Sequence, residues 1–117
     1  MFEAIFKELE QALPEMLAVA VVAEDGIEIE TSLRTPIPHE VMSAELNGIL
    51  RTLGRFQREQ DLGRIQEVTI RTEKENLLLF SLTEGLFVLV VTASSQATGK
   101  ARYEVQRRAH LFIELLS

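Results

Sequence analysis

The side chains best able to do chemistry in this chain are few and scattered. His110 and Glu114 stand four apart, which puts both on one helical face and suits a shared metal ion, but no third ligand follows nearby. His39 lies close to a helix start and is expected to face solvent in the first turn. Gly99-Lys100 suggests a phosphate loop. Yet Ser94 stands where that pattern needs its first glycine, and Ala101 where Ser or Thr would hold magnesium. Cysteine is absent, which excludes thiolate nucleophiles, thiolate metal ligands and disulfides. A nucleophile would have to be a serine or threonine activated by one of two histidines, and nothing in the spacing supports that. No catalytic, cofactor-binding or metal-binding residue is assigned. The chain is not expected to be an enzyme in its own right.

The arginines form the more distinctive pattern. Nine of the 12 basic residues are arginine, and Arg51, Arg55, Arg58 and Arg64 crowd one short stretch. A guanidinium fork pairs carboxylates bidentately, and arginine is enriched at protein interfaces. The same residues also fit a solvated face balanced by Glu45, Glu59 and Asp61. The chain as a whole is acidic, with a formal net charge of −6. That argues against nucleic-acid binding, because phosphate neutralisation needs a basic footprint. No run approaches the roughly 20 apolar residues of a membrane span, and nothing at the start resembles a signal peptide. A cytoplasmic protein without membrane insertion is therefore expected.

These residues must be positioned by elements whose periodicity is clear. With 117 residues and 46% hydrophobic content, one domain over 1–117 can bury a core. Phe2, Ile5, Phe6, Leu9, Ala12 and Leu13 share a helical face, and Pro14 ends that helix. LAVAVVA at 17–23 is a continuous apolar run, the pattern of a central strand. Asp25-Gly26 is a hairpin signal, and Ile27-Glu28-Ile29-Glu30 alternates as a half-exposed edge strand should. A long helix is predicted from about Pro38 to Gln60, with Met42, Leu46, Ile49, Leu53 and Phe56 against the sheet. Its second flank carries Val41, Ala44, Gly48 and Thr52, small or slender residues about one turn apart. Three strands follow in a meander over 64–92, the first alternating and the next two apolar at nearly every position. A last helix opens near Thr98, with Ala101, Val105, Ala109, Phe112 and Leu116 on one face. Placing the fully apolar runs in the middle and the alternating runs at the edges gives an α+β domain. Its five-stranded antiparallel sheet has order 2-1-5-4-3, with one long helix on one face and two helices on the other.

This order, together with AVVAEDGIEI, SAELNGILRTLGRF, LGRIQEVTIRTEKENLLLFSL, GLFVLVV and TGKARYEVQRRA, resembles the roadblock family. That family has the dynein-light-chain-related fold and includes the bacterial MglB-like proteins. The resemblance covers essentially the whole chain, which looks like a minimal single-domain member. It implies a homodimer joined edge to edge through its sheets, without catalysis of its own. It also implies docking of a small Ras-like GTPase, whose hydrolysis it would stimulate or whose assembly it would scaffold, as in polarity or motility systems. The polar flank of the long helix, Glu40, Asn47, Arg51, Arg55 and Arg58, is the docking surface expected from this resemblance. Two other readings remain open: a small-molecule-sensing domain, and a purely structural dimerisation module in a larger complex.

Self-association has its own residue-level expectations. Ala44, Gly48 and Thr52 would let a partner helix approach closely. The amphipathic strand at 65–72 has no proline or obvious bulge and invites pairing with a second copy. A two-fold axis at Thr69 sets Glu67 opposite Arg71 and Val68 opposite Ile70, twice each.

Overall fold

In the computed structural model, which describes residues 1–83 and 85–116, the two runs free of charge form the middle of the sheet. They are β1 (Met16–Ala23) and β5 (Leu86–Ala93), paired antiparallel from Ala23 opposite Leu86 to Met16 opposite Thr92. β2 (Glu28–Leu33) lies outside β1, while β4 (Glu75–Thr83) and then β3 (Glu67–Arg71) lie outside β5. All pairs are antiparallel and the order is β2-β1-β5-β4-β3, the order that strand polarity predicts.

Strand alternation sorts the apolar side chains into two layers. Val19, Val21, Leu78, Phe80, Val88 and Val90 face α1 (Glu3–Ala12), α3 (Thr98–Gln106) and α4 (Ala109–Leu116). Phe2, Phe6 and Phe112 meet there with ring centroids 5.6–6.1 Å apart. Ala18, Ala20, Val22, Leu79, Leu89 and Val91 face the long helix α2 (His39–Glu59). Among the described residues no helix is long and apolar enough to cross a membrane.

Three details depart from the sequence reading. The predicted last helix is two helices, because the Arg108 guanidinium takes the carbonyl of Glu104 at 3.0 Å. The Arg108 N–H then donates to Val105 instead, which tightens the turn and ends α3. Thr98 is the first residue of α3 and not its cap, a position held by Ala97 without any side-chain cap bond. The third concerns the phase of α2. Ser43 and Leu46 are its buried residues, with Met42 and Leu50 packed beside them, whereas Ile49 and Phe56 are 44% and 54% exposed. The helix is rotated by roughly 60° from the expected stripe. Two contacts set that rotation: Ser43 Oγ donates to Glu28 Oε2 at 3.0 Å, and the Gly26 turn presses against Ser43, Ala44 and Asn47.

β2 contains an irregularity that alternation conceals. Its register slips between Val21 opposite Glu30 and Val22 opposite Glu28, so Ile29 is an extra, half-exposed residue. Glu28 and Glu30 therefore point to opposite faces of the sheet. Glu28 accepts from α2, while Glu30 Oε2 accepts the Phe2 N–H at the start of α1 at 2.7 Å.

Candidate interaction surface

Ala44, Gly48 and Thr52 all lie exposed on the outward side of α2, with Val41 (57% exposed) beside them and Ile49 and Phe56 along one margin. A Cβ at Gly48 would meet nothing within 4 Å, so the monomer itself gives no steric reason for glycine there. Thr52 Oγ1 returns a bond to the Gly48 carbonyl at 3.2 Å. The helix thus turns small and apolar side chains to solvent on the side away from its own sheet, interrupted by the exposed Glu45.

The strand at the adjacent edge is regular. β3 pairs with β4 from Glu67 opposite Phe80 to Arg71 opposite Asn76 without a slip. Thr72 N–H donates to the Glu75 carbonyl, and the Gln66 carbonyl accepts from Ser81, so even-numbered residues carry the ladder to β4. The main-chain groups of Glu67, Thr69 and Arg71 consequently point outward. Val68 and Ile70 turn their side chains toward the α2 layer. Glu67, 35 residues from Arg102 in sequence, accepts from its guanidinium at 2.6 and 2.7 Å and from Thr69 Oγ1. This bidentate pair holds the Glu67 carboxyl below its ordinary value and raises the guanidinium's. Arg71 is exposed and has no ion pair or side-chain hydrogen bond among the described residues.

The expected docking set divides in two. Asn47, Arg51, Arg55 and Arg58 line a single cleft of about 630 Å³ between the C-terminal half of α2 and one end of the sheet. Glu40 stands one residue into the opposite end of the helix, roughly 22 Å along the axis from Arg55. There it joins Glu28 and His39, whose ligand atoms lie within 4.8 Å of its own. His39 is half-buried and not solvent-facing as expected, because Nδ1 bonds Glu28 Oε1. With Glu28 Oε2 given to Ser43, the carboxylate is committed to fastening the start of α2 onto β2, and this explains the group without a metal ion. His110 and Glu114 are exposed on α4.

The chain matches no protein-family model and no curated protein. Solved structures do match it. A Roadblock/LC7 domain from Streptomyces avermitilis superposes with a TM-score of 0.82 at 20% identity, over 97% of this chain and 96% of that one. The fold is that of roadblock domains. Myxococcus xanthus MglB shares this roadblock fold with a TM-score of 0.86 at 12% identity, over 98% and 94% of the two chains. A structure described as MglB with tetrameric arrangement gives 0.77 at 17% identity, over 92% and 84%.

Within the roadblock fold, what the sequence carries locally differs from what only the assembled chain brings together. The small flank of α2 and the unbulged edge are local patterns and were legible. The Glu28–His39–Ser43 tie and the Glu67–Arg102 pair join distant positions, and only the assembled sheet brings them together.

Proposed function

We propose that this chain is a cytoplasmic, MglB-like regulator or scaffold that acts as a homodimer and docks a small Ras-like GTPase. The observation that carries the reading is the outward side of α2. Its exposed Val41, Ile49 and Phe56 and its sterically free Gly48 lie beside three arginines, Arg51, Arg55 and Arg58, whose guanidinium groups form no ion pair among the described residues. The roadblock fold and its likeness to MglB supply the partner class.

Between the two sheet edges, β3 is the seam. β2 is kinked by its extra residue Ile29, a device that blunts an edge, whereas β3 is unbulged. An axis at Thr69 pairs Glu67 with Arg71 of a second copy and Thr69 with itself. Every outward main-chain group then finds a partner, in six ladder bonds. Arg71 of that copy would join Arg102 on the Glu67 carboxylate, whose two oxygens can serve both. The partner GTPase would sit on the arginine-bearing flank of α2, doubled by the two-fold.

The test is capture of GTP-loaded small Ras-like GTPases, with sedimentation of the chain alone run in parallel. Arg51→Glu with Arg55→Glu is expected to abolish capture and leave sedimentation unchanged. Capture of no GTPase by the wild type would leave a purely structural dimerisation module, and a wild type monomeric at micromolar concentration would remove the seam.

A further inference from the structure

We propose that the cleft beneath the C-terminal half of α2 is a binding site for a small organic molecule carrying a phosphate group. Three independent features point there. Arg51, Arg55, Arg58 and Arg64 all line it, and none forms an ion pair among the described residues. In an acidic chain, four guanidinium groups against two carboxylates, Glu24 and Asp25, leave this one concavity net positive. A carboxylate offers two acceptor oxygens, whereas the three oxygens and greater charge of a phosphate accept from more guanidinium forks at once. Phosphate is therefore the anion that uses this many forks.

The floor is apolar, formed by Leu50, Ile65 and Phe87, which suits an organic body behind the phosphate. Set into it is Ser81, whose Oγ is buried without a hydrogen-bond partner among the described residues. An orphaned hydroxyl in an otherwise apolar wall is costly unless a ligand or water meets it.

The cleft is also polar along its length. The β1–β2 turn packs against α2 at Asn47, which puts Glu24 and Asp25 at that end. Arg58 lies three helical turns farther on, its guanidinium folded back 3.5 Å from where a Cβ on Gly54 would stand. Phosphate belongs at the Arg58 end. Hydroxyl or amine groups, which carboxylates accept, belong at the other. The volume, about 630 Å³, is that of an ordinary small-molecule pocket. Arg51, Arg55 and Arg58 are shared with the proposed GTPase surface, so ligand and GTPase would exclude one another. The site itself does not depend on that docking.

Titration calorimetry and amide NMR on the isolated chain at low ionic strength test it, with inorganic pyrophosphate, adenosine diphosphate and a hexaglutamate peptide as probes. Adenosine diphosphate is expected to bind more tightly than pyrophosphate and to shift the amides of Ser81, Thr83 and Phe87. Arg55→Ala with Arg58→Ala, both exposed and compatible with helix, is expected to weaken binding at least about tenfold without lowering the melting temperature. Three results would overturn the site: no binding of either phosphate at millimolar concentration, affinity unchanged in the double variant, or binding of hexaglutamate alone. The last would assign the cleft to an acidic protein chain.

Discussion

At the scale of single residues, Glu67 and Arg102 form a bidentate ion pair that ties β3 to α3. The guanidinium holds the carboxyl below its ordinary value near 4.5. A carboxyl depressed in the folded state contributes stability that is fully present above its unfolded value and is lost as pH falls through the folded one. Arg102→Ala is expected to lower stability by about 1 kcal/mol at neutral pH, since the pair is partly solvent-screened. It should also flatten the loss of stability below pH 4.5, as urea titrations across pH would record. Glu67→Gln should act in the same direction. Gly48 offers a second residue-scale test. Because nothing stands near its missing side chain, Gly48→Ala should raise monomer stability by about 1 kcal/mol through helix propensity. Gly48→Leu, equally harmless within one chain, should weaken a dimer that packs α2 against its copy, with a cost of about 1–3 kcal/mol read by sedimentation equilibrium. Undiminished association of the leucine variant would place the contact elsewhere.

Among the elements, β3 carries the sharpest expectation. The Thr69 N–H points away from β4, so a proline there removes no bond within the sheet. Thr69→Pro is expected to keep the monomer's circular dichroism and melting behaviour while abolishing the dimer by sedimentation. A dimer that persists would mean that the seam lies off this edge. The elements were the most legible part of the sequence. Fully apolar runs at 17–23 and 86–92 suit the centre of a sheet and alternating runs its edges, so the sheet order followed from strand polarity. Fine geometry was not legible where it depends on contacts across the chain. The bulge at Ile29 is invisible in an alternating IEIE pattern, and without it Glu28 would face α1. The phase of α2 hangs on Ser43, a polar residue that reads as outward until Glu28 is seen to meet it. The break before α4 comes from a guanidinium competing for a carbonyl, which hydrophobic spacing cannot register.

For the molecule as a whole, the two layers over the sheet are unequally held. On one side α1 alone buries Ile5, Phe6 and Leu9, flanked by Phe2 and Leu13, worth about 10 kcal/mol as an upper bound. On the other, α2 is twice as long as α1 and buries one large apolar side chain, Leu46, worth about 2 kcal/mol. The alanines Ala18 and Ala20 beneath it leave little surface to grip. A polar clasp at one end, from Glu28 to His39 and Ser43, adds to the half-buried packing of Met42 and Leu50. The domain is therefore graded in time as well as in space. Its cheapest excursion is expected to be a hinged lifting of α2 from its far end while the clasp stays shut, read as faster amide hydrogen exchange in the C-terminal half of α2 than in β1 or β5. In a lone chain, the helix that bears the proposed recognition surface is thus expected to let go first, and a partner covering its outer side would slow its breathing.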